Sequence, residues 1–204
     1  LTKGTLLRRD LPLLARVAED APVEISMSIA VHDDALQQSL EPGTPTTKAR
    51  LATVRAAAEL GFAVTVFMMP IMPKLTDSRD HLESALRAIR DAGAARVVYW
   101  ALHLRPGARE WFFEWLEHNR PELLPRYRRM YAGSSYASKE YRRWLSERIN
   151  PLIDRYDLRG RSDDDYPATS RMRGRPESGR NRQTVGVPAA PTQQLAAPSQ
   201  QALF

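Results

Sequence analysis

The residues best suited to chemistry stand at the ends of the apolar runs in this sequence. Lys3 lies near the start, Ser28 ends the first apolar run, Glu41 opens a polar turn, and His103 and Arg105 follow the last run. Lysine and arginine pair with carboxylates and phosphates, a serine hydroxyl donates and accepts hydrogen bonds, and a histidine can move a proton. By residue type alone each segment also has an ordinary structural explanation: Lys3 as a solvated surface lysine, Ser28 as the cap of a helix or turn, and residues 41–45 as a turn before a helix.

A metal site is not expected. His32 is followed by Asp33 and Asp34, but no second histidine lies four residues further on, and the other three histidines are scattered. The sequence has no cysteine, which excludes disulfides, a thiol nucleophile and an iron–sulfur cluster held by thiolates of this chain. Asp34 is better explained as the cap of a short helix over residues 35–40.

Three apolar runs predict the strands that position these residues. Residues 23–29, 63–69 and 96–102 are rich in β-branched and aromatic side chains. Helical patterns separate them, one over residues 48–60 after Thr46 and Thr47, the other over residues 79–91, which Ser78 or Asp77 could cap. Each pattern ends at a glycine. Strand, helix, strand, helix, strand is the order of a parallel sheet with right-handed crossovers. In such sheets, functional side chains gather at the carboxyl ends of the strands.

The rest of the chain divides into two further parts. Residues 107–157 show helical patterns over 108–119, 121–131 and 139–157, the last kinked or interrupted at Pro151. Residues 158–204 lack an apolar period and are rich in arginine, proline and glutamine, which predicts a disordered tail. The predicted organisation is therefore a βα domain over 1–106, a helical extension and a tail.

Five short segments, in order along residues 1–145, resemble the second half of the radical SAM core domain, in the branch of spore photoproduct lyase and its actinobacterial relatives. The most specific are Glu-Pro-Gly-Thr-Pro at 41–45 and His-Leu-Arg-Pro-Gly at 103–107. The others are residues 2–3, 28–30 and 70–77. The resemblance implies an α/β fold, namely part of a (β/α)6 barrel with about three parallel strands, followed by the C-terminal helices and the tail.

The resemblance also implies a cofactor, S-adenosylmethionine (SAM), bound beside a [4Fe–4S] cluster near the strand ends. In the complete family, reductive cleavage of this cofactor gives a 5′-deoxyadenosyl radical. By position, Lys3 resembles the lysine that meets the methionine carboxylate of the cofactor. Ser28 resembles the serine that fixes its amino-acid or ribose part.

Five further residues take expected roles from the same resemblance. Glu41, Pro70 and Ile71 lie where such proteins contact the ribose and adenine of the cofactor. His103 and Arg105 lie at the end of the last strand, where the residues of such proteins face the substrate. All five are therefore expected at the rim of one site.

The sequence departs from the family in lacking the CxxxCxxC loop that ligates the cluster, the first two strands of the barrel and most of the third. Without these thiolates the chain alone is expected to be inactive. A truncated gene product, one subunit of a split enzyme and a non-catalytic remnant all fit this sequence. The expected partners are an N-terminal radical SAM fragment or a second copy joined through the open sheet edge.

A different class of function stays open beside this one. The net charge is +6, and the basic excess lies after residue 100. Arg142, Arg143 and the arginines after residue 170 fit a non-catalytic protein that binds nucleic acid through phosphates. Half of an unrelated aldolase- or hydrolase-like barrel is a third interpretation. The longest apolar stretch is too short to span a bilayer and no secretory signal is visible, so a cytoplasmic location is expected.

Overall fold

In the computed structural model, the described part of the chain is residues 1–160. Within it the protein is mixed α/β, with three parallel strands and seven α-helices. The elements follow in the order α1 Leu7–Val17, β1 Ser26–Ser28, α2 Asp34–Leu40, α3 Thr47–Glu59, β2 Thr65–Ile71, α4 Arg79–Asp91, β3 Arg96–Ala101, α5 Ala108–Asn119, α6 Leu124–Met130 and α7 Lys139–Arg155. A short 3-10 turn, Pro121–Leu123, leads into α6. The alternation predicted from the sequence is confirmed.

The sheet has the strand order β1-β2-β3, and all its strands are parallel. Ser28, Phe67 and Val98 are aligned across it, so the loops after the three strands leave from one edge. We call this the carboxyl edge. It is the edge at which the sequence predicts the polar residues.

The two faces of the sheet are buried to different extents. Met27, Val66 and Val97 are at most 6% exposed, and they pack into the core with α3, α4 and α7. On the opposite face Phe67 is only half-buried, and Trp100 is 50% exposed. A parallel sheet normally has both faces covered, so this second face is incomplete in residues 1–160.

The two outer edges of the sheet are also paired differently. At the β1 edge, Thr2 pairs with β1 in the parallel direction: its amide donates to Ser26 and its carbonyl accepts from Ser28. At the β3 edge, the Val97 amide donates to the Leu158 carbonyl at 2.8 Å, and Leu158 is buried. The chain therefore covers the β3 edge itself, whereas the β1 edge carries one residue of a further parallel strand.

The sequence-based expectations for the helix starts and for Pro151 agree with the structure to different degrees. The Thr46 and Ser78 hydroxyls accept from backbone amides at the starts of α3 and α4, as expected for N-caps. Asp33 rather than Asp34 caps α2. Of the kink or interruption expected at Pro151, the interruption is wrong, because α7 runs through this residue to Arg155. Leu158, the first residue of the tail predicted over 158–204, is buried, and its carbonyl accepts from the Val97 amide. Residues 161–204 of that tail lie outside the described residues.

Candidate functional site

An ion cluster lies at the carboxyl edge beside β1. The Lys3 ammonium donates to Glu41 Oε1 at 2.8 Å, and Arg50 donates to Glu41 Oε2 at 2.6 Å. The Arg50 side chain is 1% exposed, and the Lys3 side chain is 24% exposed. Two of the residues singled out by the sequence, Lys3 and Glu41, thus meet directly although 38 positions separate them.

Arg50 joins this cluster to the strand. Its guanidinium donates to the Ser28 carbonyl at 3.1 Å, to the Pro45 carbonyl at 2.8 Å and to the Thr44 hydroxyl at 2.8 Å. Thr46 caps α3, which places Arg50 one turn inside the helix and close to the preceding turn. The Glu-Pro-Gly-Thr-Pro segment is therefore held against the end of β1 by one buried side chain.

The cluster has two cations and one carboxylate, so its net charge is positive. Burial raises the pKa of Glu41, but the hydrogen bonds from Lys3 and Arg50 outweigh burial and bring that pKa below its ordinary value. Both carboxylate oxygens are used by these cations. The Lys3 ammonium makes one hydrogen bond within residues 1–160, so two of its three N–H groups remain for a ligand.

Ser28 stands next to this cluster. The residue is 7% exposed, and its carbonyl is used by Arg50. Its hydroxyl makes no hydrogen bond to any described residue. The structure therefore brings together Lys3, Ser28 and Glu41 and adds Arg50, which was not among the predicted site residues.

Pro70 and Ile71 end the neighbouring strand, β2. The Met69–Pro70 peptide bond is cis, and Ile71 is 1% exposed. The Ile71 carbonyl accepts from the Leu102 amide at 2.9 Å. No side-chain hydrogen bond links either residue to the ion cluster within the described part of the chain.

His103 and Arg105 follow β3. The His103 ring stacks on Tyr136 with centroids 4.0 Å apart and planes 7° apart, and Arg105 is exposed. Burial and the nearby Arg105 lower the pKa of His103. Among residues 1–160, neither side chain forms a hydrogen bond or ion pair with Lys3, Ser28 or Glu41.

A histidine pair occupies the same edge between β1 and β2. His32 follows β1 and His81 lies in the first turn of α4; their rings meet edge to face with centroids 6.3 Å apart. Burial lowers the pKa of both rings, and His32 lowers that of His81 further. In the described residues no group of three or more histidine, aspartate or glutamate side chains is placed to hold a metal ion.

Three tyrosines, two in α6 and α7 and one directly after α6, hold the loops after β2 and β3. Tyr127 donates to the Pro73 carbonyl at 2.7 Å, and Tyr131 donates to the Leu102 carbonyl at 2.8 Å. Tyr141 donates to Asp77 Oδ2 at 3.0 Å. Burial raises the pKa of all three hydroxyls, which keeps them protonated as donors at neutral pH.

The arginines considered for nucleic-acid binding lie on α7. Arg143 is exposed and stands 3.8 Å from Glu147. Arg142 is half-buried, and its Nε atom is buried without a hydrogen-bond partner. The arginines after residue 170 lie outside the described residues. Residues 1–160 contain no helix that is both long and apolar enough to cross a membrane.

Comparison with known proteins relates the chain to longer ones. No protein-family model matches it. The uncharacterized proteins Rv2578c of Mycobacterium tuberculosis and Mb2609c of Mycobacterium bovis are each 48% identical to it over 160 residues, which is 78% of this chain and 47% of the relative. The uncharacterized protein ORF301 of Acidianus two-tailed virus is 28% identical over 163 residues, 78% of this chain and 48% of the viral protein. The chain thus spans about half the length of the curated relatives it matches.

Proposed function

We propose that this chain is the C-terminal part of a radical SAM protein similar to spore photoproduct lyase, and that the carboxyl edge beside β1 holds S-adenosylmethionine. The observation that carries the proposal is the ion cluster. Lys3, Ser28 and Glu41 were selected from separate sequence segments, and Arg50 links all three through Glu41 and the end of β1.

The cluster suits the amino-acid end of this cofactor. Its net positive charge favours a carboxylate, and the part-exposed Lys3 ammonium has N–H groups to donate. The Ser28 hydroxyl supplies a second polar contact beside it. Glu41 acts by positioning Lys3, because both of its oxygens are already paired with cations. When bound and reductively cleaved, the cofactor supplies a carbon-centred radical that abstracts hydrogen.

The iron–sulfur cluster of the family does not fit this chain. A [4Fe–4S] cluster needs thiolate ligands, and the sequence has no cysteine. We therefore derive no step through a cluster from these residues. The cysteines would have to come from another polypeptide segment, and the chain by itself is expected to bind the cofactor without cleaving it.

The exposed sheet face also supports the inference that another polypeptide segment completes the protein. Phe67 and Trp100 lie on a face that parallel sheets normally cover, and Thr2 offers a parallel edge for a further strand. The relatives are about twice as long as the matched region. We infer that an N-terminal segment would extend the sheet beyond Thr2 into a partial (β/α)6 barrel and cover this face.

Reconstitution tests the proposed activity. The chain is co-expressed with a separate fragment that carries a CxxxCxxC motif and the missing strands, and the purified complex is assayed anaerobically with dithionite for release of 5′-deoxyadenosine. Cleavage that is lost when the motif cysteines are replaced by alanine supports the proposal. A complex that contains the cluster but leaves the cofactor intact contradicts it. A homodimer of this chain in place of the complex contradicts the assigned partner.

A further inference from the structure

A cavity lies apart from the ion cluster, between the loop after β2 and helices α6 and α7. Its volume is about 390 Å³. Met130, Tyr141 and Trp144 provide much of its apolar wall, and the rings of Tyr141 and Trp144 stack with centroids 5.5 Å apart. The cavity is large enough for a small organic molecule.

The floor of this cavity contains a buried carboxylate. Asp77 is 4% exposed, and its Oδ1 atom accepts from the Lys74 amide at 2.8 Å while its Oδ2 atom accepts from Tyr141 at 3.0 Å. Among residues 1–160, no lysine, arginine or histidine nitrogen lies within 4.0 Å of it. A carboxylate has about four lone-pair positions, so two remain for a donor. A buried carboxylate is costly unless a cation pairs with it.

The rim of the cavity carries the opposite charge. Lys74 and Arg126 line it and are both exposed. Glu140 also lines it and is exposed in the first turn of α7, so the rim carries two cations and one carboxylate and its net charge is positive. A ligand would therefore meet a negative floor, an apolar and aromatic wall, and a positive rim.

We propose that this cavity binds a zwitterionic amino acid with an apolar or aromatic side chain. The ammonium group would donate to Asp77, and the carboxylate would pair with Lys74 and Arg126. The side chain would pack on Tyr141, Trp144 and Met130. A simple anion would lie beside the buried Asp77 carboxylate and leave it unpaired. A simple cation would lie beside two basic side chains and leave them unpaired.

Three related compounds separate these possibilities. L-phenylalanine has both charges, 2-phenylethylamine has only the ammonium, and 3-phenylpropionate has only the carboxylate. Binding to the full chain is measured by saturation-transfer NMR at neutral pH. We expect phenylalanine to bind at least about tenfold more tightly than either single-charge compound, the change that one lost charged contact produces.

Two variants test which charged group of the ligand contacts Asp77 and which contacts Arg126. Asp77→Asn is expected to weaken phenylalanine and phenylethylamine about tenfold and to leave phenylpropionate unchanged or tighter. Arg126→Gln, at an exposed position that should not affect folding, is expected to weaken phenylalanine and phenylpropionate. Asp80→Asn is the matched control, because Asp80 is an exposed carboxylate in the first turn of α4.

Four results would overturn the proposal. They are no binding of phenylalanine at millimolar concentration, phenylpropionate binding as tightly as phenylalanine, phenylethylamine binding as tightly as phenylalanine, and equal affinities in the wild type and the Arg126→Gln variant. The comparison of the wild type with Arg126→Gln can be made even if Asp77→Asn fails to fold. None of these results bears on the cofactor site beside β1.

Discussion

The carboxyl edge of the sheet is held by two different kinds of interaction in two neighbouring regions. Beside β1, the loop at residues 41–45 is fixed by ion pairs that centre on the buried Arg50. Beside β2 and β3, the loops are fixed by neutral tyrosine hydroxyls that donate to the Pro73 and Leu102 carbonyls. We call these the ionic region and the tyrosine region.

The two regions differ in whether their polar groups remain available to a ligand. The ionic region has excess positive charge and retains an ammonium, Lys3, that solvent can reach. In the tyrosine region, Tyr127 and Tyr131 are at most 1% exposed and use their hydroxyls to complete the hydrogen bonding of the backbone. A ligand can therefore contact the Lys3 ammonium without breaking the ion pairs, whereas the Tyr127 and Tyr131 hydroxyls are already used by the backbone and stabilise the fold.

The largest expected effect is in the ionic region. Arg50→Met leaves the Glu41 carboxylate without its buried partner, and breaking a buried ion pair costs about 3–5 kcal/mol. Urea unfolding at neutral pH measures this loss. Lys48→Met is the control on the same helix, since Lys48 is exposed, and it should change stability by no more than about 0.5 kcal/mol. Equal stability of the two variants would show that the ion pairs do not hold this region.

A smaller effect is expected in the tyrosine region. Tyr131→Phe removes the hydroxyl that donates to the Leu102 carbonyl and leaves a buried acceptor unsatisfied, at a cost of about 1–3 kcal/mol. Thermal and urea unfolding measure the difference. Tyr136→Phe is the matched control, because Tyr136 is 48% exposed. A loss as large as that of Arg50→Met would contradict the ranking of the two regions.

The smallest effect is expected where the regions meet, at His32 and His81. Burial lowers the pKa of both rings in the folded chain, so the unfolded chain binds more protons near its own pKa of about 6.5. Stability is therefore full above that pH and decreases as the pH falls below it. Unfolding measured between pH 7.5 and 5.5 should show this loss, and His81→Gln should reduce it. A slope that His81→Gln does not change would contradict this assignment.

The sequence predicts the sheet better than it predicts what holds the loops. Three apolar runs and the capping residues Thr46 and Ser78 are local signals, and both caps are found in the structure. Arg50 has no such signal, since an arginine in a helix usually faces solvent. Its role depends on Glu41 and on the end of β1, which only the folded chain brings to it.

The tyrosine contacts were missed for a related reason. Tyr127 and Pro73 are 54 positions apart, and Tyr141 and Asp77 are 64 apart, so no short pattern connects either pair. The run of α7 through Pro151 likewise depends on its packing: Ile149, Leu152 and Ile153 are all buried in the core. Tertiary contacts decide such features, whereas periodicity decides where the strands lie.

The most direct test of the cofactor site compares S-adenosylmethionine binding by the wild-type chain, Lys3→Met and Lys48→Met in saturation-transfer NMR. If the ionic region holds the cofactor, its methionine and adenosyl protons are saturated with the wild type and with Lys48→Met. Lys3→Met should then bind at least about tenfold more weakly, because it loses the contact to the carboxylate. Equal binding by all three proteins, or none at millimolar cofactor, would contradict the account.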